Sequence, residues 1–98
     1  MTNTKIQTDS KSLTIRGELY EPKAGIWLEI WIELDANREI NDAYVIGVRE
    51  DFHNVIIAPN VWQMITEYYH FNPVGKMKLK EAADEAVETY FRQIDLTS

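Results

Sequence analysis

Ile26-Trp27-Leu28-Glu29-Ile30-Trp31-Ile32-Glu33-Leu34 alternates between two kinds of side chain over nine consecutive residues. Successive side chains on a β-strand point to opposite faces of the sheet. Read as a strand, the stretch gathers Ile26, Leu28, Ile30, Ile32 and Leu34 on one wholly aliphatic face. Trp27, Glu29, Trp31 and Glu33 form the other. The aliphatic side is a core face. The second side sets two indoles about 13 Å apart along the strand, at 3.3 Å per residue. A sheet covered on one side only leaves those indoles in water, where large apolar surface usually marks a partner.

The chain before this stretch reads as its pairing strand. From Leu13 to Tyr20, Leu13, Ile15 and Leu19 share one side with Gly17, and Thr14, Arg16, Glu18 and Tyr20 share the other. Gly17 in mid-strand points to a bulge or to the close approach of another backbone. Glu21-Pro22-Lys23-Ala24-Gly25 has turn chemistry, with Pro at its start and Gly at its end. It closes an antiparallel hairpin, and in a suitable register Tyr20 joins Trp27 and Trp31.

After the hairpin, Asp35 to Asp42 is a polar connection. Tyr44 to Arg49 reads as a third strand with Tyr44, Ile46 and Val48 on one side. Glu50 to Asn54 turns the chain, and Val55 to Ala58 reads as a short, wholly apolar fourth strand. Helical periodicity then takes over. Asn60 is the expected N-cap of a first helix, whose broad apolar arc holds Val61, Trp62, Met64, Ile65, Tyr68 and Tyr69. Gln63, Thr66, Glu67 and His70 occupy the opposite side. Asn72-Pro73-Val74-Gly75 stops it. A second helix from about Leu79 to Ile94 carries Leu79, Ala82, Ala83, Ala86, Val87, Tyr90, Phe91 and Ile94 within half its circumference.

Strands first and helices after argue an α+β fold. The expected architecture is an antiparallel β-meander of three to four strands, followed by two helices packed on one face. Its core joins the aliphatic face of the Trp strand to Leu79, Val87, Tyr90 and Ile94 and to Val61, Ile65 and Tyr68. The 98 residues suit one domain, running from residue 13 to 98 behind a polar tail, Met1 to Ser12, that reads as disordered. That tail has no apolar stretch of signal-peptide type, and no apolar run approaches the roughly 20 residues that cross a bilayer. The absence of cysteine excludes disulfides, thiol nucleophiles and thiolate metal sites, and points to a cytoplasmic protein.

The net charge of −6 is unevenly spread. Residues 18–51 hold nine acids against Lys23, Arg38 and Arg49. Such an acidic band disfavours nucleic acid, whose phosphates need clustered Lys and Arg, and suits a basic protein partner. Charge of this size also serves solubility alone.

Most chemical signatures are missing. There is no Gly-rich phosphate loop, nucleophile elbow, HExxH or zinc spacing, so no catalytic residue, metal or cofactor is assigned. Glu67 and His70 have the i, i+3 spacing of carboxylate-bridged metal sites, yet no second such pair exists and both lie on the polar helix side. Glu81, Asp84, Glu85 and Glu88 form a carboxylate ridge, partly relieved by Lys80 and Arg92. A regular helix splays such groups too widely for calcium. The binding candidates are Trp27, Trp31, Glu29, Glu33 and Tyr20. Three readings follow: a non-catalytic module that binds a basic protein, such as a stoichiometric inhibitor of the immunity or anti-defence type; a homodimer joined through the aromatic face; and a small ligand-binding protein or enzyme with a sheet–helix pocket at Trp62, Tyr68, Tyr69 and His70.

Overall fold

In the computed structural model, residues 13–52 and 55–97 are described. The expected tail, His53 and Asn54 lie outside the described residues. Strand β1 (Leu13–Glu21) and strand β2 (Ile26–Leu34) form the expected hairpin, in register from Leu13 opposite Leu34 to Glu21 opposite Ile26. The turn closes with the Gly25 amide donating to the Glu21 carbonyl at 2.8 Å. Gly25 takes a φ of 67°, a conformation that costs glycine little. Strand β3 (Ile40–Val48) pairs antiparallel with β2, giving the sheet order β1-β2-β3.

The third strand departs from strict alternation. Ile30 faces Val45 and Glu29 faces Gly47, which leaves Ile46 as an extra residue; likewise Glu33 faces Asp42 and Leu34 faces Ile40, which leaves Asn41 extra. Each such bulge reverses the alternation. Tyr44, Ile46 and Val48 therefore do not share a side. Tyr44 lies opposite Trp31, while Val48 lies opposite core-facing Leu28.

No fourth strand forms at Val55–Ala58. This segment is unpaired, with Val55 and Ile56 exposed and Ile57 packed against the core. The outer edge of β3 is met instead by a helix. His70 Nε2 accepts the Val45 amide at 3.0 Å, so the imidazole turns toward the sheet and not to solvent as its place on the polar helix side implied.

Helix α1 (Pro59–Phe71) follows a short 3-10 helix, Glu50–Phe52. Its N-cap is Ala58, not Asn60. Pro59 occupies the first helical position, where its missing N–H costs nothing and its fixed φ suits the helix. Ile65 and Tyr69 are the buried positions, with Trp62 and Tyr68 packed beside them. Val61 and Met64 are exposed, so the buried stripe is narrower than the apolar arc.

Helix α2 (Pro73–Thr97) begins well before Leu79. Asn72 stops α1 and starts α2: its Oδ1 accepts the Val74 amide at 2.9 Å, as a capping side chain does. Leu79 and Ala83 are buried on the sheet, and Ala82, Ala86, Val87, Tyr90 and Phe91 pack around them, while Ile94 stays exposed. Gly17 is explained here. A Cβ at that position would lie 2.8 Å from Ala86 Cβ, so the glycine admits a helix, and β1 pairs through it without a bulge. Leu28, Ile30, Ile32 and Leu34 are fully buried under this cover, and they form the centre of the core.

Candidate binding face

Because α1 and α2 contribute the core's helical side chains, the opposite face of the sheet is left open among the described residues. It carries Thr14, Arg16, Glu18 and Tyr20 from β1, Trp27, Glu29, Trp31 and Glu33 from β2, and Asp42 and Tyr44 from β3. Cross-strand register arranges them in rows. Tyr20 faces Trp27, with ring centroids 5.2 Å apart and planes tilted by 55°. Arg16, Trp31 and Tyr44 form a second row.

Polar contacts hold the aromatic groups in place. Arg49 stacks its guanidinium 4.9 Å from the Trp27 ring centroid and donates to Glu18 at 3.0 Å and to Asp51 at 2.6 Å. Those bonds hold the Asp51 carboxyl below its ordinary pKa. Arg16 Nε donates to Glu29 Oε2 at 2.6 Å, and Trp31 Nε1 donates to the same oxygen at 3.4 Å. Tyr44 Oη donates to Glu33 Oε2 at 3.0 Å. The hydrogen bond to that carboxylate, with some burial, raises the phenol's pKa.

The electrostatics are graded along the strands. Glu18 and Glu29 stand directly opposite each other, a destabilising like-charge pair, and Arg49 and Arg16 compensate them. Glu33 and Asp42 stand opposite each other one row beyond Trp31, and among the described residues no salt bridge reaches either. Among the described residues the face therefore ends in two carboxylates without an ion pair, beside an indole and a phenol. Trp31 is 38% exposed and Tyr20 45%, so both present apolar surface to an incoming group.

On the other side of the sheet a concavity of about 860 Å³ lies between the start of β3, the end of α1 and α2. Ile40, Ala43, Tyr69, Leu79, Ala83 and Val87 line it, with Arg38, His70, Lys76 and Lys80 among its polar groups. Of the four residues expected to line a sheet–helix pocket, Tyr69 and His70 do so. Tyr68 and Trp62 do not: Tyr68 packs edge-on against Tyr69 at 4.9 Å, and Trp62 sits with Val48 and Ile57 in a shallower depression. Arg38 holds a φ of 66° and sets its guanidinium 4.1 Å from the Phe91 ring centroid, above the cleft wall. Its lining offers no hydroxyl nucleophile of Ser or Thr type, and the His70 nitrogen that faces the sheet is engaged by Val45.

Glu67 and His70 point to different partners, since Glu67 accepts from Gln63 at 3.0 Å. Among the described residues, no group of three or more His, Asp or Glu is placed to hold a metal ion. No described helix is long and apolar enough to cross a membrane. Tyr44 and Arg49 were not anticipated at the open face, and Arg16 was not named among its binding candidates. Arg16 was visible as a neighbour of Tyr20 on the same strand side, but a bulge concealed Tyr44. Arg49 comes over Trp27 only because the chain just past β3 stays bonded to β2, the Arg49 amide donating to the Trp27 carbonyl at 2.9 Å.

Comparison with known proteins gave no match to a family model, a curated protein or a solved structure.

Proposed function

We propose that this protein is a non-catalytic binding module that presents the outer face of its sheet to a basic protein. The observation that carries this reading is the combination of Trp31 and Tyr44 with Glu33 and Asp42, which no salt bridge reaches among the described residues, on a surface those residues leave open. Aromatic side chains with a polar tip supply large contact area and are enriched where binding energy concentrates. Here their orientations are set before any partner arrives, by Arg16, Glu29 and Glu33, which lowers the ordering cost of association. The carboxylates add long-range attraction, which raises the association rate toward a basic surface. A stoichiometric inhibitor that masks such a surface is the concrete form of this reading.

The test uses the full chain as bait, with Trp27→Ser/Trp31→Ser and Glu33→Gln/Asp42→Asn as controls. The reading predicts a partner that purifies as a one-to-one complex and shields the outer-face indoles from a fluorescence quencher. It is lost with the tryptophan variant and associates more slowly with the carboxylate variant. A complex that forms equally well with both variants would refute it.

A further inference from the structure

The two edges of the sheet are treated differently. The outer edge of β3 is interrupted by bulges at Asn41 and Ile46, and α1 caps it through His70 on the Val45 amide. Both devices stop a further strand from adding. The outer edge of β1 has neither. All nine of its residues, from Leu13 to Glu21, pair with β2 without a shift, and none is proline. Among the described residues no hydrogen bond reaches its other side. Helix α2 does not close it off. It lies on the core side of the sheet, closest to β1, with Ala86 against Gly17 and Val87 on the cleft toward Ile40 and Ala43 of β3. Among the described residues it makes no backbone hydrogen bond to the strand's outer edge. A long, regular, open edge is a template for another strand.

The sequence of that edge selects which strand. Laid antiparallel on a second copy of itself about a twofold axis through Gly17, β1 sets Arg16 opposite the second copy's Glu18, and Glu18 opposite its Arg16. Thr14 then meets Tyr20 on the outer face, and Ile15 meets Leu19 on the core face. Edge charges of one sign would repel a second copy, whereas this pair alternates in sign about the centre and becomes self-complementary. Opposite charges directly across two strands are stabilising and like charges are not. Arg16 keeps 72% of its side chain exposed although its Nε donates to Glu29, and Glu18 is about half exposed while it accepts from Arg49, so both can still reach across the edge.

We infer that this chain self-associates through β1, edge to edge, as a twofold dimer with a six-stranded sheet. The contact is isologous, each strand offering the other the same surface. It joins the two open faces into one along their shared β1 edge, and leaves Trp31, Glu33, Asp42 and Tyr44 on β2 and β3, the cluster proposed above for the partner, outside the strand ladder. Its strength comes from one strand ladder and two pairs of crossed charges, which places it among the small, reversible interfaces.

A charge-swap cycle, read by sedimentation velocity on the full chain over about 1 µM to 1 mM, tests this directly. The wild type forms a concentration-dependent dimer. Arg16→Glu alone sets like charges at both crossing points, as does Glu18→Arg alone, and each weakens self-association by at least about tenfold. An equimolar mixture of the two variants restores dimerisation, because every crossing point again holds opposite charges. The double variant Arg16→Glu/Glu18→Arg restores it within one chain. The restored pairings also show that the single variants are folded. A wild type that stays monomeric throughout the range overturns the inference, as does a dimer indifferent to the swaps. A dimer lost with Trp27→Ser/Trp31→Ser but not with the swaps assigns the contact to the outer face instead, and equally overturns it. So does a monomer whose β1 edge amides are protected from hydrogen exchange, since another part of the chain then covers the edge.

Discussion

Tyr69 Oη donates a hydrogen bond of 2.6 Å to Glu21 Oε1, joining the last turns of α1 to the end of β1 across 48 residues of sequence. Both side chains are buried. The other carboxylate oxygen, Oε2, accepts the Lys23 amide at 2.7 Å and the Ala24 amide at 3.3 Å, so one buried acid both organises the hairpin turn and anchors a helix. A charge in such a place is tolerated only when its hydrogen-bonding capacity is met. Among the described residues no buried side-chain polar atom lacks a partner.

Tyr69→Phe keeps the ring and removes the donor. The carboxylate is then left with the two turn amides alone, and the expected loss is about 1–3 kcal/mol, the cost of an unmet buried acceptor. Tyr69→Ala adds the loss of a fully buried ring and should cost about 3–5 kcal/mol. Chemical denaturation of the two variants beside the wild type gives both values. Equal midpoints for Tyr69→Phe and wild type would show that the hydrogen bond contributes nothing net.

The same contact fixes an alkaline limit. Burial first, and the hydrogen bond to Glu21 second, push the Tyr69 phenol above its ordinary pKa of 10.0. The folded state therefore prefers the neutral phenol more strongly than the unfolded chain does. Stability from this group is fully present below the unfolded pKa near 10, and it drains away as pH rises from there toward the folded pKa. Melting temperatures measured from pH 8 to about 11 should fall above about pH 10. The fall should be shallower in Tyr69→Phe, which has no proton to lose at that position. Tyr44, also raised, titrates in both proteins and sets the common background.

Gly17 and Ala86 test how closely α2 lies on the sheet. A Cβ at Gly17 would meet Ala86 Cβ at 2.8 Å, Ile30 Cγ1 at 3.1 Å and Ile32 Cδ1 at 3.1 Å. Gly17→Ala should therefore destabilise by about 1–3 kcal/mol, the usual cost of overpacking. Ala86→Gly costs about 1 kcal/mol in helix propensity, but it frees the space the new methyl group needs. The double variant should be less destabilised than the sum of the two changes. Simple additivity in a double-mutant cycle would mean that the two residues do not touch.

These contacts mark where sequence stopped being informative. The hairpin was legible because β1 and β2 alternate without a break on either side of a turn with Pro22 and Gly25, but its register comes from the structure. Tyr20 beside Trp27 depended on that register, and the pairing of the two strands settles it. The facing of β3 was not legible, because each extra residue, Asn41 and Ile46, reverses the alternation and neither carries a signal of its own. The apolar run Val55–Ala58 looked like a strand, since composition does not reveal that α1 has taken the sheet edge. His70 looked solvated for the same reason. A helical wheel ranks residues by their own helix, whereas the environment of His70 is set by a strand 25 residues earlier. The candidate face was half legible: its aromatic residues on β1 and β2 could be read off directly, whereas Tyr44 and Arg49 required the third strand and the chain beyond it.

The edge cap gives a further expectation. His70 Nε2 accepts the Val45 amide at 3.0 Å, so an acceptor nitrogen at that position stands in for a missing neighbouring strand. His70→Ala leaves this half-sheltered amide to water, at a cost of about 1 kcal/mol. Hydrogen exchange resolved by residue should show faster exchange at Val45, with little change at Leu28 and Ile30 in the centre of the sheet. Uniformly faster exchange would mean that His70 supports the whole fold and not the edge alone.

The two faces of β2 predict opposite responses within one strand. Leu28 is fully buried, and Leu28→Ala should cost about 2–5 kcal/mol through lost transfer energy and a residual cavity. Trp31 lies three residues on and faces away, 38% exposed, held by one long hydrogen bond to Glu29 and by its row neighbours. Trp31→Ser should therefore cost far less than the deletion of so large a side chain from a core, which runs to about 3–5 kcal/mol. The indole emission lost with Trp31 should be the component most open to an added quencher, with Trp27, shielded by Tyr20 and Arg49, contributing less of it. Should Trp31→Ser instead lower the denaturation midpoint as far as Leu28→Ala, the outer face is structural and its reading as a binding surface fails.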